Sequence, residues 1–115
     1  MTINDSEKFV ASLWDWGCLD GCFGNSKIAV TDVDGLLEHN GQFLLMETKG
    51  PGVDIPTGQQ IMFNRLIEKP GFHVLVIWGH PGKPEELQFW GRRKYAADLE
   101  GLRKVIKRWY EFSSS

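Results

Sequence analysis

The chain has 115 residues, enough for one compact domain, and 42% of them are hydrophobic, including five Trp and seven Phe. A formal net charge of −2 argues against a globally basic nucleic-acid-binding protein. The apolar runs are too short to span a membrane, and the first residues lack the basic and apolar regions of a signal peptide. We therefore expect a single cytoplasmic domain over residues 1–115 with no membrane association.

Basic residues are concentrated toward the C-terminus. Residues 92–108 contain seven Lys or Arg and only two acidic residues, whereas the rest of the chain is acidic. This asymmetry favours a basic surface beside an acidic pocket. The alternative interpretation is an ordinary solvated helix face.

The N-terminal segment is predicted to form a helix followed by a loop. Apolar residues at helical spacing indicate a helix over residues 3–16, with Asn4 or Asp5 as its N-cap. The Gly-rich loop after it contains Cys18 and Cys22, and the chain has no second cysteine pair. We interpret both as partly buried free thiols, with a zinc site completed by a histidine as the alternative.

A hairpin and a helix are predicted next. The dipeptide Asn40–Gly41 between two apolar runs is a strong hairpin signal, and it predicts strands over about 27–38 and 42–49. A helix follows at about 56–68, where apolar residues form a single stripe.

Two further strands and a last helix complete the prediction. Residues 71–79, GFHVLVIWG, are typical of a central strand buried on both faces, and residues 86–91 predict a shorter strand. A final helix spans about 95–112. Its core-facing positions are Leu99, Leu102, Val105 or Ile106, and Trp109. The order αβββαββα or αββαββα indicates an α+β fold with a central mixed sheet flanked by helices.

The hairpin register is expected to gather charged side chains. With a two-residue turn at Asn40–Gly41, the numbers of paired residues sum to 81, so Asp34 faces Glu47 and Asp32 faces Lys49. All four side chains then share one face of the sheet. Facing carboxylates repel each other, and a divalent Mg²⁺ or Mn²⁺ ion between them would remove the repulsion. The alternative is that both acids reach solvent, with Asp32 and Lys49 as an ion pair.

An Asp followed by Glu-x-Lys on paired strands resembles the motif of the PD-(D/E)XK nuclease superfamily. The stretch ETKGPGVDIPTGQQIMF is similar to the VRR-NUC branch, in which E-V-K-G-P-x-D precedes a helix that begins near a Gln. Glu47, Lys49, Gly50 and Pro51 match this pattern, and Gln59 stands ten residues after the lysine.

The chain departs from the VRR-NUC pattern at three places. Val53 is an extra residue before Asp54, and Thr48 replaces an apolar residue. Val33 precedes Asp34 where the family has Pro-Asp. None of these departures removes a catalytic residue.

The resemblance implies a restriction-endonuclease-like αβββαβ core and a Mg²⁺- or Mn²⁺-dependent DNA endonuclease. Asp34, Glu47 and the backbone carbonyl of Thr48 would hold the metal ion. Lys49 would orient the attacking water or stabilise the transition state, and Gln59 would position water or substrate. The resemblance also implies a homodimer that cuts branched or junction DNA, in a bacterial or phage-infected host cell.

The predicted helix stripe independently favours Gln59 over Gln60. Gln59 lies on the helix face of the apolar residues, so its amide is expected to be buried and to need polar partners. Gln60 lies off that face and is expected to form a capping box with Thr57. The alternative for Gln59 is a first-turn residue satisfied by backbone groups.

Further residues are secondary candidates. Asp32 could hold a second ion, although we favour its pairing with Lys49, and Glu7 is either an outer metal ligand or a solvated helix residue. Phosphate contacts are expected from Arg92, Arg93, Lys94, Lys104, Lys107 and Arg108. The Trp-rich segments could stack bases, although most of these Trp are expected in the core.

Two other function classes remain open at this point. One is a catalytically inactive nuclease-fold module that binds nucleic acid or protein. The other is a metal-dependent enzyme that acts on nucleotides or RNA.

Overall fold

The computed structural model describes residues 13–115. The chain divides into two compact units, Met1–Asp32 and Val33–Ser115. In the described part of the first unit, Trp16–Leu19 forms a 3-10 helix, and Asp15 caps it by accepting a hydrogen bond from the Gly17 amide at 2.9 Å. The helix predicted over residues 3–16 lies largely outside the described residues.

The predicted state of the two cysteines is wrong in one respect. Cys18 and Cys22 are free, as expected, but both are exposed instead of partly buried. Cys18 lies within the 3-10 helix, and Cys22 lies in the turns that follow it.

The second unit is an α+β fold built on a mixed sheet, as the sequence predicts. Its strands are β1 (Gly35–His39), β2 (Gln42–Lys49), β3 (Phe72–His80), β4 (Lys83–Phe89) and β5 (Tyr95–Ala96), in that spatial order. Its helices are α1 (Thr57–Ile67) and α2 (Leu99–Ser114). Neighbouring strands are antiparallel except for β2 and β3, which are parallel. Within residues 13–115, no helix is long and apolar enough to cross a membrane.

The hairpin register is confirmed along β1. Pairing runs from His39–Gln42 to Gly35–Met46, and the two residue numbers of each pair sum to 81. Asn40 and Gly41 have φ values of 52° and 80°, the left-handed conformations of a type I′ turn, which Asn-Gly adopts readily.

The first strand is shorter than predicted: it begins at Gly35 instead of near residue 27. Asp34 provides the physical reason. Its Oδ2 accepts a hydrogen bond from the Thr48 amide at 2.9 Å. In a continued ladder the Val33 carbonyl would accept that bond. The side chain of Asp34 thus ends the pairing that the extrapolated register would extend to Asp34–Glu47.

The two helices cover opposite faces of the sheet. On one face Val74, Val76 and Trp78 of β3 pack with Ile55 and with Phe63 of α1. On the other face Leu75 packs with the buried residues Leu44, Leu87, Val105 and Trp109. Alternation along β3 therefore supplies both cores, as expected for a central strand.

The last helix begins later than predicted. Tyr95–Ala96 pairs with β4 as a short edge strand, and Asp98 caps α2 by accepting a hydrogen bond from the Gly101 amide at 2.9 Å. Leu99 is 48% exposed, so its predicted core position is wrong. Val105 and Trp109 are buried, as predicted.

Two leucines in adjacent strands provide a matched test of this packing. Leu44→Ala should lower the free energy of unfolding by about 2–5 kcal/mol, because Leu44 is fully buried. Leu36→Ala should change it by less than about 0.5 kcal/mol, because Leu36 is 56% exposed. Urea denaturation of both variants measures the difference, and equal losses would contradict the described faces of the hairpin.

Candidate functional site

Glu47 and Lys49 form a buried ion pair near the end of β2. Alternation along the strand points both side chains to the face covered by α1, the face of Leu45. Glu47 is 8% exposed, and its Oε1 lies 3.4 Å from the Lys49 Nζ. A carboxylate this well buried needs a compensating charge, and Lys49 supplies it. The predicted hairpin has these two residues on one face, and the structure brings them together.

Asp34 lies across the hairpin from this segment of β2, and its contact there is with Thr48. Its Oδ2 accepts hydrogen bonds from both the amide and the hydroxyl of Thr48, at 2.9 and 3.1 Å. The carboxylate is therefore anchored to the residue between Glu47 and Lys49. Because β1 pairing ends at Gly35–Met46, the carbonyl of Thr48 has no ladder partner in β1.

Gln59 is half-buried on α1, and its Oε1 atom is buried, in keeping with its predicted place on the apolar stripe. Within residues 13–115, its Oε1 has no hydrogen-bond partner. An unpartnered buried acceptor destabilises the fold by about 1–3 kcal/mol, so such groups need a functional or structural reason. Gln60 instead donates from Nε2 to the Ile55 carbonyl at 2.8 Å. The predicted capping box with Thr57 is therefore wrong, and the side chain of Gln60 stabilises the turn before the helix.

The donor atoms near Thr48 suit a hard divalent cation. The carboxylates of Asp34 and Glu47 and the Thr48 carbonyl offer only oxygen, the ligand type that Mg²⁺ and Mn²⁺ prefer. Across the described residues, no group of three or more His, Cys, Asp or Glu side chains could hold a metal ion. An ion at this position would therefore depend on two carboxylates, one backbone carbonyl and water.

A second lysine lies on the same face of the sheet. Lys49 is in register with Trp78 of β3, and Trp78 is in register with Glu86 of β4. Lys94 places its Nζ 3.9 Å from the centre of the Trp78 ring and 3.6 Å from Glu86 Oε1. Both contacts hold a cation one strand away from Lys49.

Sequence reasoning missed this row of residues, although it did select Lys94 for phosphate binding. The register of β4 depends on the tight turn between His80 and Lys83 and on a register shift after Trp78. The strand predicted over residues 86–91 starts too late to include that turn, because β4 begins at Lys83.

The predicted phosphate-binding residues occupy three separate places. Lys94 shares the face of Glu47, as described above. Lys104 and Lys107 are exposed on α2, which covers the opposite face. Arg92, Arg93 and Arg108 line a cavity at the end of the sheet where β3 begins. The basic residues therefore do not form one surface around Glu47 and Lys49.

The remaining predicted residues have mixed outcomes. Glu7 lies outside the described residues. Asp32 is exposed in the first unit, while the ion-pair partner of Lys49 is Glu47, so the role of Asp32 stays a prediction. Trp78 and Trp109 are core residues, as expected, whereas Trp14 and Trp16 are exposed.

No protein-family model, curated protein or solved structure matches this chain significantly. The likeness to PD-(D/E)XK nucleases therefore depends on the residues described above.

Substitution of two neighbouring glutamines tests whether each side-chain amide stabilises the fold. Gln59→Leu should raise the free energy of unfolding by about 1 kcal/mol, because it removes a buried oxygen that lacks a partner. Gln60→Leu should lower it by about 0.5–1 kcal/mol, because the bond to the Ile55 carbonyl is lost. Chemical denaturation measures both, and destabilisation by Gln59→Leu would show that the amide has a structural partner.

The dependence of Glu47 on Lys49 can be measured in a double-mutant cycle. Lys49→Met should lower the free energy of unfolding by about 2–3 kcal/mol, because it leaves a buried carboxylate unpaired. Adding Glu47→Gln to this variant should recover at least about 1 kcal/mol. Lys83→Met, at an exposed turn residue, should change stability by less than about 0.5 kcal/mol. Additive effects in the cycle would contradict the pairing.

Proposed function

We propose that this protein is a Mg²⁺- or Mn²⁺-dependent deoxyribonuclease of the PD-(D/E)XK type, resembling the VRR-NUC branch. The observation that carries the proposal is the buried Glu47–Lys49 pair near the end of a central strand, with an N–O separation of 3.4 Å. Placing an acid and a lysine where apolar side chains would be more stable favours a chemical role over a structural one.

Three further features support a phosphodiesterase site around this pair. Asp34 is anchored to Thr48, which lies between Glu47 and Lys49. Gln59 presents an unpartnered buried oxygen on the helix that covers the same face of the sheet. The order β1–β2–α1–β3, with β2 and β3 parallel, is compatible with part of the αβββαβ core that the resemblance implies.

Each residue has a defined role in this proposal. Asp34, Glu47 and the Thr48 carbonyl would hold the metal ion. A bound ion would supply Lewis acidity toward the phosphoryl oxygen and would lower the pKa of its water. Lys49 donates hydrogen bonds to the attacking water or to a phosphoryl oxygen that gains negative charge in the transition state. Gln59 accepts a hydrogen bond from that water or from the substrate.

The proposed substrate is DNA, and the proposed active form is a homodimer. A unit of 83 residues, from Val33 to Ser115, offers little surface for holding a duplex. Two copies would present one site to each strand, which suits branched or junction DNA. This part of the proposal depends on analogy with the family.

The alternative is an inactive nuclease-fold module that binds nucleic acid or protein. One observation favours it. The carboxylate of Asp34 already accepts two hydrogen bonds from Thr48, so it has fewer lone pairs for a metal ion. Activity measurements separate the two proposals.

Cleavage assays with linear, flapped and four-way DNA in Mg²⁺ or Mn²⁺ test the enzyme. Lys49→Ala should lower the cleavage rate about 10²- to 10³-fold, the loss typical of one transition-state hydrogen-bond donor. Lys83→Ala, at an exposed residue of the β3–β4 turn, should leave the rate unchanged. Failure of the unmodified protein to cut any of these substrates would overturn the nuclease proposal. Equal rates for Lys49→Ala and the unmodified protein would overturn the site assignment.

Calorimetry with Mn²⁺ tests the metal ligands independently of cleavage. Asp34→Asn keeps an oxygen that can accept from the Thr48 amide but removes the charge, so it should abolish the binding heat without unfolding the protein. Glu85→Gln, at an exposed position of β4, is the matched control and should bind normally. Unchanged binding by Asp34→Asn would favour the inactive module.

A further inference from the structure

A large cavity lies at the opposite end of the sheet from Glu47 and Lys49. Its volume is about 870 Å³, and its walls come from the end of α1 and the connection to β3, the start of β3, the end of β4 with the turn after it, and α2. Phe72 begins β3, whereas Trp78, the register partner of Lys49, lies six residues further along that strand. At about 3.3 Å per residue, the start of β3 lies about 20 Å from Trp78 along the sheet, whereas Val74, which also lines the cavity, lies only about 7 Å from Val76, the register partner of Glu47.

The cavity is cationic in a protein whose net charge is −2. Its lining contains Lys69, Arg92, Arg93 and Arg108 against a single acid, Glu68, a balance of +3. Within residues 13–115, none of the three arginines forms an ion pair with a carboxylate. Their charges are therefore available to an anionic ligand.

Aromatic rings form much of the apolar part of the cavity, and specific contacts hold several of them in place. Trp90 donates from Nε1 to Asn64 Oδ1 at 2.7 Å. Phe72 stacks on Phe43, with ring centres 4.9 Å apart. Phe112 meets the ring of His73 edge-on at 5.5 Å. Rings that are fixed before a ligand arrives lose little entropy on binding.

One polar group in the cavity wall lacks a partner. Trp109 lines the cavity and is 7% exposed, yet its indole Nε1 finds no acceptor among the described residues. A buried donor of this kind is normally satisfied. An acceptor on a bound ligand is one way to satisfy it.

We propose that this cavity binds single-stranded nucleic acid. The bases would stack against Trp90 and Phe112, and the phosphates would contact Arg92, Arg93 and Arg108. Aromatic platforms beside a positive groove are the combination that single-strand binding requires. A duplex is a poor ligand here, because its bases are already stacked inside the helix and cannot reach the rings.

This inference depends on the proposed function only in taking nucleic acid as the ligand. It deepens that proposal by naming a single-stranded segment, held at the end of the sheet where β3 begins, as part of the substrate. Binding at the cavity needs neither a metal ion nor Glu47 and Lys49, so it can be measured where cleavage cannot occur.

Fluorescence anisotropy with a labelled single strand of about 10 nucleotides in EDTA tests the proposal. Phe112→Ala should weaken binding about 5- to 100-fold, the effect of losing one base–aromatic stack. Tyr110→Ala is the matched control, since Tyr110 is 58% and Phe112 54% exposed on the same helix and only Phe112 lines the cavity. The control should bind with unchanged affinity.

A second pair of variants tests the phosphate contacts. Arg108→Gln should weaken binding and lower the slope of log affinity against log salt by about 0.7, the value for one single-strand phosphate contact. Arg103→Gln should leave both unchanged, because Arg103 is exposed on the same helix outside the cavity.

The proposal would be overturned if the single strand did not bind, or if the two variants of either pair changed binding equally. It would also be overturned if a duplex of the same sequence bound with equal affinity, or if a free mononucleotide bound more tightly than the strand. Strand binding without cleavage under any metal condition would support the cavity while removing the nuclease proposal. Cleavage that is unaffected by substitution of Phe112 or Arg108 would support the nuclease proposal and remove the cavity proposal.

Discussion

The parallel pairing of β2 with β3 is the constraint on which the rest of the unit depends. It places β3 at the centre of the sheet, so that alternate residues of one strand supply the apolar cores under both helices. The same pairing sets Glu47 beside Val76 and Lys49 beside Trp78, on the face covered by α1. Without this burial Glu47 would be an ordinary exposed acid, and its pairing with Lys49 would contribute little.

A parallel pair also has two distinct ends, and the chain uses them differently. Glu47, Lys49 and Lys94 gather toward the end where β2 and β3 finish, whereas three arginines and several aromatic rings gather where β3 begins. In the functions proposed above, one end would carry out phosphodiester hydrolysis and the other would bind single-stranded nucleic acid. The basic residues of the C-terminal segment therefore lie in separate places and do not form one basic face.

Local signals predicted the elements better than their ends. The Asn-Gly turn specified the hairpin and its register, because few dipeptides adopt two left-handed residues in succession. Helical spacing placed Gln59 on the buried stripe of α1, where its oxygen is found unpartnered. The predicted starts of β1 and α2 were wrong, because a side-chain hydrogen bond sets the first and pairing with a distant strand sets the second. The side chain of Asp34 takes the Thr48 amide, and β4 recruits Tyr95 and Ala96 into the sheet.

The sequence by itself determined the α+β class, the hairpin register and the shared face of Glu47 and Lys49, because each follows from the spacing of residues along one segment. Tertiary structure alone decided which residues meet across segments. The ring of Trp78 under Lys94, the anchoring of Asp34 to Thr48 and the arginine-lined cavity all need a strand register or helix position that no local pattern encodes. Such contacts depend on where distant parts of the chain come together, and packing of the two cores sets that arrangement.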